Sequence, residues 1–195
     1  MGVSLYNHDE KLEWIKNLIL TKMETSQKNK ELLLDFAEDC LTGWKIPRIG
    51  KARVVTLLQR LRKLTLVLDK EWLWYDDQDT KRLLLWMDER YPLPRGAWSQ
   101  HGYRIALRKF VTWMRRKYGY PEGYPGREKL LSRLEVGRYA EEVRYDVKEP
   151  DMLRDPGSIP TAQELEWLSE AATNPRDKAF IEMSKEHGER IGAHS

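Results

Sequence analysis

Arginine and lysine carry most of this chain's chemical potential, and many of them sit in two stretches that contain no carboxylate. Cys40–Leu68 holds Lys45, Arg48, Lys51, Arg53, Arg60, Arg62 and Lys63, and Arg90–Pro121 holds Arg90, Arg95, Arg104, Arg108, Lys109, Arg115, Arg116 and Lys117. All 31 acidic residues lie elsewhere, so the modest net charge of +3 hides a segregated one. A guanidinium is planar, always charged and able to donate two parallel hydrogen bonds, which suits a phosphate. A focused positive field beside an acidic remainder is the footprint of a polyanion binder, with the duplex backbone the usual partner. Ser99, Gln100 and His101 form a second candidate group. At the start of a helix they could help hold a phosphate on free N–H groups, or they could be a cap followed by ordinary surface positions.

Other chemistries have little support. His8, His101, His187 and His194 are scattered, and with a lone Cys40 they give no zinc-ligand spacing. No metal and no cofactor is expected. Cys40 reads as a small core residue, and a single cysteine fits a reducing cytoplasm. No apolar run approaches the roughly 18–20 residues that cross a bilayer. Met1–Glu10 lacks the pattern of a signal peptide. A cytoplasmic protein without a membrane partner is the expectation. A hydrophobic content of 41% with eight Trp argues against global disorder.

These cations need helices to hold them, and most of the chain has helical periodicity. Asp9–Met23 sets Leu12, Ile15, Leu18, Ile19 and Met23 on one stripe, and Asn29–Leu41 follows with Asn29 as a possible cap. Lys51–Leu68 is the clearest helix: Val54, Leu57, Leu58, Leu61, Leu64 and Leu68 make its inner face. At about 100° per residue, Arg53, Thr56, Arg60 and Lys63 share another side. Thr80–Tyr91 and Trp98–Tyr118 are two more helices, the last with Arg104, Arg108 and Arg115 on one flank and Lys109 and Arg116 on the other. Trp72, Trp74, Trp86, Trp98 and Trp113 read mainly as core aromatics. After Gly119, proline and glycine become frequent. Residues 121–159 read as a linker with one helix inside it, about Arg127–Val143. Thr161-Ala162-Gln163-Glu164 is a capping box that opens a further helix, and Ala179–Lys185 belongs to another. The fold class is all-α.

The arrangement resembles a tyrosine recombinase, or phage-type integrase, of the kind found in archaea and their viruses. The resemblance rests on Asn29-Lys30-Glu31-Leu32-Leu33-Leu34-Asp35-Phe36, on Leu61-Arg62-Lys63-Leu64 and on Ala106-Leu107-Arg108-Lys109-Phe110-Val111-Thr112-Trp113. Those segments are similar to the family's core-binding domain. Pro160 through Leu165, Asn174 through Ala179 and Gly188-Glu189-Arg190-Ile191-Gly192 are similar to the opening of its catalytic domain. The resemblance implies an N-terminal helix over 1–24, a SAM-like four-helix core-binding domain over 25–120, a linker over 121–159 and the start of a catalytic domain over 160–195. It also implies that Arg190 is the first catalytic arginine. In the family, a tyrosine hydroxyl attacks a phosphodiester and arginines clamp the charge that develops on its oxygens.

This sequence departs from the pattern. No tyrosine follows Tyr145, no second arginine in a His-x-x-Arg element follows Arg190, and Ala193 stands where an acid is usual. Either a piece of a longer enzyme or a shortened relative is expected, and no strand cleavage by these 195 residues alone. The expected role is DNA binding through Arg48, Lys51, Arg53, Arg60, Lys63, Ser99, Gln100, Arg104, Arg108 and Lys109. Double-stranded DNA and other recombinase subunits are the partners implied. About eight neutralised phosphates would give a log–log salt slope near −7. A non-catalytic regulatory remnant and a helical protein-interaction module are the alternatives.

Overall fold

The computed structural model describes residues 7–147 and 161–192, with the backbone alone for 162 and 184–192. It divides into two compact units, Met1–Glu149 and Pro150–Ser195. Every regular element among the described residues is helical. No helix among them is long and apolar enough to cross a membrane.

In the first unit, α1 (His8–Lys22) is capped by the Asn7 side chain, which accepts from the Glu10 N–H. Helix α2 (Gln27–Thr42) is capped by Ser26 rather than Asn29. Asn29 is buried instead: its amide donates to Lys70 O at 2.9 Å and accepts from the Trp72 N–H at 2.9 Å. It thereby satisfies two backbone groups of a connection that cannot satisfy them itself. Helix α3 (Lys51–Leu68) has the bounds that its periodicity predicts, and all six of its stripe residues are buried.

A short 3₁₀ turn, Trp72–Trp74, leads to α4 (Asp77–Arg90). This helix starts earlier than its apolar pattern indicates. Asp76 accepts from the N–H groups of Gln78 and Asp79, and the Asp79 carboxylate accepts from the Asp76 N–H. Helix α5 (Ala97–Tyr118) follows. Helix α3 is central and touches α1, α2, α4 and α5. Between them Phe36, Trp72, Phe110 and Trp113 pack mostly edge to face, with centroids 4.9–5.3 Å apart for Trp72–Phe110, Phe36–Trp113 and Phe36–Phe110. Trp74 and Trp98 are exposed. Burial pushes the Cys40 thiol up to about 12, as befits an inert core residue.

Residues 120–147 differ from the tether that their proline and glycine content suggests. Helix α6 (Arg127–Val136) and a 3₁₀ turn, Glu141–Val143, replace the single helix expected there. Tyr120, Tyr124, Leu134, Ala140 and Val143 are buried. An irregular segment can pack only if its carbonyls find donors, and here arginines provide them. Arg108 donates to Tyr145 O, Arg116 to Gly137 O and Arg138 O, and Arg127 to Tyr120 O.

In the second unit, α7 (Ala162–Ala171) opens with the expected capping box. The Thr161 hydroxyl accepts from the Glu164 N–H, and the Glu164 carboxylate accepts from the Thr161 N–H at 2.8 Å. These bonds hold the Glu164 carboxyl below its usual range. Helix α8 (Pro175–Gly192) packs against α7. Arg190 falls on α8, but its side chain lies outside the described residues.

Candidate nucleic-acid interface

Helix α3 has two faces because its leucines recur every three to four residues. Once they are buried, Arg53, Thr56, Gln59 and Lys63 are left exposed and Arg60 half-buried. Thr56, Gln59, Arg60, Arg62 and Lys63 form one wall of a cleft of about 470 Å³. Trp14 of α1, Tyr91 after α4, and Ser99 and Tyr103 of α5 form the others. Tyr91 and Tyr103 stack with centroids 5.2 Å apart and share a 3.0 Å hydroxyl–hydroxyl hydrogen bond, which fixes the end of α4 against α5.

Arg60 is the best-placed cation of the set. Its guanidinium lies over α5 at Gly102, where an added Cβ would stand 2.3 Å from Cζ. Burial lowers its pKa, Tyr103 works against that shift, and the neighbouring Arg53 charge adds to it. An arginine stays charged nonetheless. A poorly hydrated guanidinium beside a like charge is relieved by an arriving anion. Among the described residues, Arg48, Arg53, Arg60, Arg62 and Lys63 make no ion pair. The Arg62 Nε is buried without a hydrogen-bond partner among those residues. Lys51 differs: it is exposed but pairs with Asp9 of α1.

No family model, curated protein or solved structure matches this chain.

The second carboxylate-free stretch is used mainly inside the protein. Arg115, expected on an exposed flank, is fully buried. It pairs with Glu142 at 3.0 Å, donates to Leu73 O and Tyr75 O, and lies over the Tyr120 ring at 4.2 Å. Arg104 pairs with Asp88 at 3.2 Å. Arg108 is held over the Tyr139 and Tyr145 rings at 4.6 and 5.1 Å. Lys117 pairs with Asp35 at 2.6 Å and Asp39 at 2.9 Å, and the two carboxylates more than offset burial to raise its pKa. Gln100, expected as a DNA contact, is buried, and its amide donates to Tyr91 O at 2.7 Å. Ser99 makes no cap, since α5 begins after Gly96 without a side-chain cap bond, but it does line the cleft.

Lys109 lies apart from the α3 cleft. It lines a smaller one of about 270 Å³ with Arg116 and Arg138. Of the ten expected contacts, Arg60, Lys63 and Ser99 line the α3 cleft, and Arg53 shares the exposed face of that helix. Residues missed by sequence reasoning are Gln59, Arg62 and Trp14. Arg62 was visible as a cation, but it lies off the Arg53–Arg60–Lys63 line. Trp14, 57% exposed, had no signal beyond being a large aromatic on the polar side of α1.

Proposed function

We propose that the first unit binds duplex DNA as a SAM-like core-binding domain of tyrosine-recombinase type, with α3 as the principal contact. The observation that carries this reading is the set of α3 cations Arg53, Arg60, Arg62 and Lys63, which among the described residues has no carboxylate partner and of which Arg60, Arg62 and Lys63 line the cleft. Cations left unpaired by the fold keep their full charge for phosphates, and each contact releases a counterion. Contacts of this kind fix position on the duplex. Any sequence preference comes from the polar side chains between them, Thr56 and Gln59, reaching base edges. Strand cleavage is assigned to no residue of the first unit. By resemblance, Arg190 in the second unit contributes one clamp of a catalytic set.

The test is Arg53→Glu with Arg60→Glu. Both positions lie off the core, so helix content and Tm should hold. Duplex affinity at low salt should fall roughly 100-fold, the loss of two charge-assisted contacts. Unchanged affinity in a folded variant would remove α3 as the contact.

A further inference from the structure

The turn between α2 and α3 presents a tryptophan that the fold does not use. Trp44 is 62% exposed, and among the described residues it has no aromatic partner and one cation over its ring, the adjacent Lys45, with Nζ 5.9 Å from the centroid. The turn itself is tightly held. The N–H groups of Gly43 and Trp44 both donate to Asp39 O, at 2.8 and 3.2 Å, and the Ile49 N–H closes the loop on Cys40 O at 2.9 Å. Lys45 has a left-handed φ of 59°, uncommon for a residue with a side chain, and such strain persists only where surrounding structure enforces it.

Cations lie close to this turn. Arg48 packs against the base of the turn at Gly43 and leads directly into the α3 ridge. Two residues beyond Trp44, Ile46 and Pro47 form one wall of the cleft that holds Lys109, Arg116 and Arg138 and is lined by no carboxylate. An exposed aromatic on a tightly held turn, with cations nearby, fits an opened base step whose flanking phosphates those cations can meet. Apolar wedges of this kind unstack a step and kink the helix.

We propose that Trp44 is a wedge that inserts at a base step of duplex DNA, supported by phosphate contacts from Arg48 and α3 and from Lys109, Arg116 and Arg138. The inference rests on the DNA-binding reading above and adds a distortion of the duplex to it. Flexible pyrimidine–purine steps are the preferred targets, because they unstack at least cost.

The experiment uses the full chain and duplexes of about 30 base pairs carrying 2-aminopurine at TA steps, at low salt. Wild type should raise 2-aminopurine fluorescence severalfold on binding. Trp44→Ala should abolish that rise and weaken binding about tenfold, the worth of one aromatic–base stack. Trp44→Phe should restore part of both. Because the ring is exposed, Tm should not move. If wild type binds the duplex with no change in 2-aminopurine signal, or if Trp44→Ala behaves as wild type, the wedge is wrong while the DNA-binding reading stands. If wild type does not bind duplex at all, both fail. Trp44-dependent binding to phosphatidylserine vesicles without any 2-aminopurine response would overturn the wedge in favour of a lipid surface.

Discussion

Gly102→Ala should separate stability from binding in opposite directions. Gly102 lies inside α5, where glycine costs about 0.5–1 kcal/mol relative to alanine. The three atoms nearest the added Cβ all belong to the Arg60 guanidinium, with Cζ at 2.3 Å and the two terminal nitrogens at 2.4–2.6 Å. The far end of an arginine moves cheaply, so the fold should accommodate the methyl by expelling the guanidinium from its seat. Helix propensity should then raise Tm by about 2–4 °C. Binding should change the other way. An arginine held in place loses less entropy on meeting a phosphate than a free one, and a charge-assisted contact is worth about 1.5–3 kcal/mol. Tenfold or greater weakening is expected. Anisotropy of a labelled duplex at low salt and thermal denaturation followed by circular dichroism read the two effects on one sample. A raised Tm with unchanged affinity would show that the seat of Arg60 has no part in binding.

Two further outcomes concern how the first unit holds together. Arg115→Met leaves Glu142 charged and buried without its partner and should destabilise by about 3–5 kcal/mol in urea unfolding; adding Glu142→Leu should recover much of that loss. A double variant no more stable than the single would contradict the pairing as the cause. Asp76 caps α4: burial pushes its pKa up, but bonds from the Asp79 N–H and the Lys70 ammonium more than offset this and leave it below its usual value. A depressed carboxylate stabilises the fold above its unfolded pKa of about 3.9, and that contribution is lost as pH falls through the folded value. Asp76→Asn should therefore flatten the decline of Tm on acidification below about pH 5; an identical decline would assign it to other groups.

Much of the helical frame was legible because its signals are local. The α3 leucines recur at helical spacing, and the Thr161 capping box spans four residues. The second basic stretch was misread because its partners are distant in sequence. Counting nearby acids cannot detect Glu142 beside Arg115 or Asp35 beside Lys117, and carbonyl acceptors such as Gly137 O and Tyr145 O carry no net charge to count. The same blindness made residues 121–147 look like a tether, since what secures their backbone is the arginines of α5 and α6. Gln100 did carry a signal: it precedes Tyr103 and Leu107 by three and seven residues, on the inward stripe of α5. The centring of the proposed interface on α3 thus comes from tertiary contacts and not from composition.

The central claim is that α3 keeps its cations free for phosphates, and salt dependence of duplex binding measures this most directly. Four contacts from Arg53, Arg60, Arg62 and Lys63 give a log–log slope of about −3.6, or roughly a 150-fold loss of affinity between 50 and 200 mM salt. Eight contacts, with the second stretch also engaged, would give about −7 and a loss on the order of 10⁴-fold. A slope of about −3.6 is expected from α3 alone, steepening toward −7 as Arg48, Lys109, Arg116 and Arg138 also engage beside Trp44. A slope near zero, or no binding to double-stranded DNA at 50 mM salt, would contradict the account.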